Sequence, residues 1–327
     1  LLDWKSIFGV THLSDDISRV ILVSSIFVSL NFIISLCKSI FYALQNAAAV
    51  SWMELSIQVL NLILIIIASK FSSENLLMMA ILYGASLISV SVLASIFLFY
   101  KNPNLIPSLR YFRFDIGKEI TSLGLQFFII QISALVLFTT DNLIISSLYG
   151  ASNVTPYTTV NKLFTVVSSF YLAIITPLWS SFTVAKAKKD LTWMRNIYKK
   201  IHILMIPFFL GIIGLGLLFR SITFIWLGRN LDYQNGLIFF GAIYGALTIW
   251  CNTYAMIGNG LGLMRVSVIT AIAQAVINIP LSLFCAITLN MQSSGVLLGT
   301  VLAMLISASI IPIFVYMYIF KSGSELV

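Results

Sequence analysis

Nine long apolar runs, separated by short polar segments, leave this 327-residue chain few ways to fold. Each run is close to the ~20 residues that cross ~30 Å of hydrocarbon as a helix. No water reaches that depth, so the backbone must satisfy its own hydrogen bonds, and each run is expected to be helical. The two-residue alternation of a membrane barrel is absent. The runs are Val20–Phe41, Val50–Ala68, Leu76–Tyr100, Glu119–Leu148, Tyr157–Val184, Ile201–Phe219, Gly236–Ile257, Leu263–Leu289 and Gly295–Phe320. Only 9% of the residues are charged and the mean hydropathy is +1.01, which leaves too little charge to cover a soluble domain of this size. The expected class is an all-α polytopic membrane protein with about nine transmembrane helices present.

The net charge of +8 does not point to nucleic acid, because the basic residues cluster beside the spans. Counting Lys and Arg alternately along the chain puts thirteen on one side (Lys38; Lys101, Arg110, Arg113, Lys118; Lys186, Lys188, Lys189, Arg195, Lys199, Lys200; Arg265; Lys321). The other side has five (Lys5, Arg19, Lys70, Arg220, Arg229), and Lys162 lies within a span. Cytoplasmic loops collect such residues, so the richer side and the C-terminus are expected in the cytoplasm. The mildly polar Leu1–Arg19 then reads as an external loop leading into a span. A chain that opens at Leu1, with an odd number of spans and an external start, is expected to lack upstream helices.

Proline and glycine mark expected bends and close contacts. Pro177, Pro207, Pro280 and Pro312 fall inside or near the ends of spans, where kinks are expected. Gly241–Gly245 and Gly258–Gly262 have the small-xxx-small spacing of close helix packing. Cys37, Cys251 and Cys285 lie in apolar runs and read as small hydrophobes rather than a disulfide or metal framework. His12 and His202 stand apart in the sequence. Tyr42–Asn46 and Tyr254–Asn259, each near an Asn-bearing span, hint at duplicated halves.

The polar residues inside the spans carry the functional reading. Ser24, Asn31, Ser35 and Lys38 share one helix face, as do Glu54, Gln58 and Asn61. Gln126, Ser133 and Thr140 repeat every seven residues, with Asp141 alongside. Asn161, Thr165 and Ser168 follow, with Lys162, then Thr248, Asn252 and Asn259, then Ser267, Thr270, Gln274 and Asn278. Hydrogen bonding between helices accounts for the Ser and Thr residues. Intramembrane charges and so many amides are better explained by a shared polar cavity. At 1.5 Å per residue, Asp141 lies ~12 Å below Tyr149 and Lys162 ~9 Å below Pro156, so the two are expected at similar depth. They could form a structural ion pair or handle substrate or a coupling cation. Asn153-Val154-Thr155 matches a glycosylation sequon, but the loop is short and close to the membrane. No nucleophile with a plausible His, no paired carboxylates, no metal-ligand cluster and no nucleotide-binding loop appear, so neither enzyme chemistry nor a cofactor is expected.

Gly124–Lys200 carries a family likeness. Its span ends in Thr140-Asp141-Asn142-Leu143-Ile144-Ile145-Ser146. Val154, Tyr157 and Asn161-Lys162-Leu163 follow, then Thr176-Pro177-Leu178-Trp179, Ala185 and Lys189-Asp190 before an aromatic-basic run. This stretch resembles the O-antigen and polysaccharide flippases of the multidrug/oligosaccharidyl-lipid/polysaccharide exporter superfamily. The resemblance implies two six-helix lobes around a central cavity and twelve or more spans in all. Residues 1–100 would then be the remainder of an N-terminal lobe, 101–118 a cytoplasmic connection and 119–327 a C-terminal lobe. It also implies the function: moving an undecaprenyl-diphosphate-linked oligosaccharide across the bacterial plasma membrane by alternating access, with the polysaccharide polymerase machinery as a further partner.

The candidate cavity residues are Lys38, Glu54, Gln58, Asn61, Gln126, Asp141, Asn161, Lys162, Asn252, Gln274 and Asn278. Two cations against two carboxylates do not give the excess positive charge that such cavities often have. Two alternatives are a multidrug or small-metabolite antiporter of the same superfamily and a membrane oligosaccharide polymerase or ligase. The short external connections, of which Arg220–Asn235 is the longest, count against the enzyme.

Overall fold

A computed structural model of the chain describes residues 15–44, 46–71, 76–108 and 113–322. The polar start at 1–14, with His12 and Lys5, and Arg110 lie outside the described residues. Among those described there are no strands, and nine helical stretches are long and apolar enough to cross a membrane. The expected all-α polytopic membrane class is what the chain adopts. The chain divides into two compact units, Leu1–Phe112 and Arg113–Val327.

The first unit contains α1 (Asp15–Ile34), α2 (Leu36–Ala43), α3 (Ala47–Phe71) and α4 (Leu76–Lys101). The first expected span is thus two helices, broken at Ser35, whose hydroxyl bonds back to the Phe32 carbonyl at 3.1 Å. Such back-bonding bends helices. Asn46 starts α3 by accepting from the Ala49 amide at 3.1 Å. The core of the unit is Cys37, Phe41, Val50, Met53 and Leu98. Gly84 lets the ring of Phe27 lie directly on the α4 backbone.

The second unit contains α5 (Phe114–Tyr149), α6 (Val154–Ile175), α7 (Leu178–Ala187), α8 (Leu191–Leu217), α9 (Phe219–Leu227), α10 (Leu237–Gly260), α11 (Met264–Leu283) and α12 (Gln292–Tyr316). Helix α10 packs against α6, α7, α8 and α12, while α5 lies on α11 and α12. The ninth span has the highest buried share, as its all-round apolar sequence requires. Thr176 and Pro177 separate α6 from α7, and Pro207, Pro280 and Pro312 sit inside α8, α11 and α12. Each internal proline removes a helical bond. After Pro280 and Pro312 the chain widens into π turns, Phe284–Thr288 and Met317–Ser322.

The basic stretch Ala185–Lys200, between the fifth and sixth expected spans, is mostly helical. Asp190 accepts from the Trp193 amide at 2.9 Å and starts α8 there, so the span begins ten residues before its apolar run. Two cations of this region serve helix ends. Lys186 donates to the Leu261 carbonyl at 2.8 Å, at the end of α10. Arg195 donates to the Ile319 carbonyl at 3.1 Å. Both uses suit the negative end of a helix. Asn153, the sequon residue, spends its amide on the Tyr149 carbonyl at 2.5 Å.

Glycine packing follows the expected spacing in one case and departs from it in another. A side chain at Gly241 or Gly245 would strike Val160 or Phe164 of α6. Gly262, by contrast, is not a packing position: it takes φ +76 in the turn after α10. Close approach there belongs to Gly260, where an added Cβ would lie 2.7 Å from the Trp179 carbonyl oxygen. Gly295 and Gly299, which bring α12 onto Cys285 and Ser282, were not anticipated.

The expected sidedness has a direct test. Reporter fusions after Pro107 and Lys189 should read as cytoplasmic and a fusion after Ser152 as external. A cytoplasmic signal from Ser152 would reverse the orientation of the second unit.

Candidate functional site

The described structure brings Asp141 and Asn278 together in the interior of the second unit. Asp141 comes from α5 and is 1% exposed. Tyr157 of α6 donates to its Oδ2 at 2.5 Å, and the Thr300 hydroxyl of α12 lies 2.7 Å from the same oxygen. The Asn278 amide of α11 lies 3.3 Å from Oδ1 and 3.2 Å from the Leu137 carbonyl. Four helices therefore meet at one carboxylate. A second tier of oxygens stands beside it. Asn278 Oδ1 is 3.0 Å from Thr300 Oγ1 and 3.3 Å from Ser282 Oγ, and Ser282 donates to the Val296 carbonyl at 3.2 Å. The Thr300 hydroxyl has one proton for three oxygen neighbours, the third being the Val296 carbonyl at 3.4 Å, so at most one of them receives it.

Of the two readings left open for Asp141 and Lys162, the ion pair does not form. Lys162 is exposed on α6, and among the described residues the ion pair is Lys38 with Glu54, at 2.5 Å. Asp141 is instead held by neutral donors. Both residues nevertheless line one cavity of about 180 Å³, with Asn142, Asn161, Tyr157 and Tyr244. The Oδ1 atoms of Asn142 and Asn161 are buried and have no hydrogen-bond partner among the described residues. Asn161 and Lys162 also line a larger groove of about 950 Å³ along α6, with Thr165, Ser169, Phe170 and Trp226.

The remaining candidates are not gathered there. Lys38 and Glu54 form their pair in the first unit, the carboxylate side more than half exposed. Gln58 is exposed, and Asn61 Oδ1 is buried without a partner among the described residues. Gln126 is half-buried and its amide lies 3.4 Å from the Ser122 carbonyl of its own helix. Asn252 is half-buried and Gln274 is buried.

Sequence reasoning missed Tyr157, Ser282 and Thr300 as members of the site. A lone Thr in an apolar span carries no periodic signal, but its place one residue after Gly299 was a usable one. It also missed a cluster around His202. The imidazole lies 2.7 Å from the Tyr198 carbonyl and 2.9 Å from the Tyr254 hydroxyl, which is 3.0 Å from that of Tyr198. Among the described residues no group of three or more His, Cys, Asp or Glu is placed to hold a metal ion.

Comparison with known proteins gives this arrangement a context. Over 182 residues the chain is 27% identical to the "Putative O-antigen transporter" of Salmonella typhimurium, covering 54% of this chain and 41% of that protein. Over 173 residues it is 24% identical to the protein of the same name from Salmonella typhi, covering 50% and 38%. The matched stretches thus span about two fifths of those relatives' own length. In fold, the chain is similar to the structure titled "Crystal structure of MATE in the bent conformation". The TM-score is 0.78 at 16% identity, over 97% of this chain and 72% of that one. The model of the family described as polysaccharide biosynthesis protein matches residues 4–183, more than half of the chain. The chain belongs to the polysaccharide biosynthesis protein family.

Proposed function

We propose that this protein is a transporter that moves an undecaprenyl-diphosphate-linked oligosaccharide across the bacterial plasma membrane by alternating access, with its C-terminus in the cytoplasm. Family membership supports the substrate class. The observation that carries the transport reading is Asp141, a carboxylate enclosed by helices with no cation within ion-pair distance among the described residues. Burying an unpaired charge is costly, so such a site favours taking up a proton or small cation. The oxygens of Thr300, Asn278 and Ser282 add the hard donors that a small cation would use. Uptake and release there would favour different arrangements of α5, α6, α11 and α12, which is how binding drives a conformational cycle.

The α6 groove supplies the substrate-facing chemistry in this reading. Lys162 offers a charge for phosphate, Thr165 and Ser169 offer hydrogen bonds to sugar hydroxyls, and Trp226 offers an aromatic face. The polysaccharide polymerase machinery would take the product on the far side.

In a strain lacking its own exporter, the full-length protein should restore surface polysaccharide. Asp141→Asn should insert at the wild-type level yet lower that polysaccharide at least ~10-fold, the effect of losing ~1.4 kcal/mol from a required step. Full export by Asp141→Asn would remove the carboxylate from the mechanism. Efflux of a cationic dye without any export of polysaccharide would replace the flippase with an antiporter.

A further inference from the structure

A second, independent site lies on the opposite kind of surface, an apolar groove between α8 and α10. Its volume is about 640 Å³, within the ~300–1,000 Å³ typical of sites that enclose small ligands. Ile213 and Leu217 form one wall, Phe239 and Ile243 the other, and Gly216 with Ala242 the floor. A Cβ placed on Gly216 would lie 3.9 Å from that of Ala242, so the floor is open because both residues are small. At one end the lining turns polar, with Arg220, Gln234 and Asn235.

Length identifies the occupant. From Gly236 to Ala246 the groove follows α10 for ten residues, ~15 Å of rise. That is half of the ~30 Å hydrocarbon core, the depth of one leaflet. The polar end precedes the apolar run of α10, which puts its expected place at the boundary of that leaflet. Helix α9, separated from α8 by Leu218 alone, exposes Phe224, Ile225 and Trp226, the composition of a helix lying in the membrane interface. Arg220 is in its first turn. Among the described residues it has no carboxylate within ion-pair distance. Gln234 cannot turn toward it, since its amide is held by Gln292 at 2.5 Å and by Ser293 at 2.6 and 2.9 Å. A fixed mouth with one unpaired guanidinium, above an apolar slot one leaflet deep, suits a phosphodiester joined to an acyl chain.

We propose that the α8–α10 groove binds a glycerophospholipid, with one acyl chain between Gly216 and Ala242 and its phosphate on Arg220. This does not rest on the transport reading. A long isoprenoid chain would overrun a slot one leaflet deep, so the lipid-linked sugar is not the occupant.

The test is retention of phosphatidylglycerol by the full-length protein during stepwise delipidation, followed by native mass spectrometry without any oligosaccharide. The wild type should keep one phosphatidylglycerol. Arg220→Gln, a change at an exposed side chain, should weaken retention about 10-fold or more, the value of a lost charged hydrogen bond. Ala242→Phe, which fills the floor, should abolish it while leaving the melting temperature within a few degrees of wild type. If Ala242→Phe does not fold, Arg220→Gln decides alone. Unchanged retention in Arg220→Gln, no retained lipid in the wild type, or displacement by equimolar undecaprenyl phosphate would each overturn the assignment. Because the readout contains no transport step, failure here leaves the flippase proposal untouched, and failure of that proposal leaves this one untouched.

Discussion

Exchanging the two intramembrane charges, by Asp141→Lys together with Lys162→Asp, is expected to leave almost no membrane-inserted protein. If the residues were partners, the exchange would restore their complementarity. They are not: the Asp141 carboxylate is met by the Tyr157 and Thr300 hydroxyls and the Asn278 amide. An ammonium in that place would face groups arranged to donate, and it would need more room than the carboxylate it replaced. Stranding a buried charge costs ~3–5 kcal/mol, a large part of the ~5–15 kcal/mol that holds a typical protein together. Asp141→Asn, which keeps the shape, should accumulate normally, and so should Lys162→Asp alone, because Lys162 is exposed. Fluorescent-fusion measurements of inserted protein separate the cases. Wild-type accumulation of the exchanged protein would mean that the two residues meet after all.

Gly299→Val is expected to be nearly as damaging, for a steric reason. A Cβ at Gly299 would overlap the backbone of Ser282, so α11 and α12 would have to part. Parting them would loosen Ser282 from the Val296 carbonyl and Thr300 from Asn278, two links of the Asp141 site. Overpacking a tight core typically costs ~1–3 kcal/mol for added methylenes, and here backbone rather than a flexible side chain stands in the way. Gly214→Val provides the control, since nothing stands within 4 Å of a Cβ there. Thermal unfolding of the purified full-length proteins should show a clear drop for Gly299→Val and a small change for Gly214→Val. Equal effects would place the cost in helix propensity instead.

How much of this was legible in the sequence depends on what kind of signal each feature leaves. The spans were readable because hydrocarbon imposes one length and one hydrogen-bonding solution, and Leu76–Lys101 begins where its apolar run does. The start of α8 was not, because a helix continuing into water is set by the Asp190 cap rather than by hydropathy. Asp141 stood out as a charge in an apolar run, and Asn278 as part of a polar stripe. Their meeting was invisible, since 137 residues separate them and stripes do not say which faces meet. Similar depth suggested Lys162 as the partner of Asp141. Depth fixes only one coordinate, and Lys162, though it lines the same cavity, is exposed rather than set against the carboxylate. His202 seemed isolated because its neighbour Tyr254 is 52 residues away.

In the second unit α10 is fastened near both of its ends. On one side Gln234 ties the approach to α10 to the first turn of α12, through Gln292 and Ser293. On the other, His202, Tyr198 and Tyr254 rivet α8 to α10. Pro207 and Pro280 fall not in α10 but in its neighbours α8 and α11, where each deprives the carbonyl four residues earlier of its usual partner. A rod pinned at both ends keeps its line while its less-pinned neighbours bow. Strain reaching the bundle would therefore be taken up in α8 and α11, and Asn278, which holds the Asp141 carboxylate, stands two residues before the α11 proline.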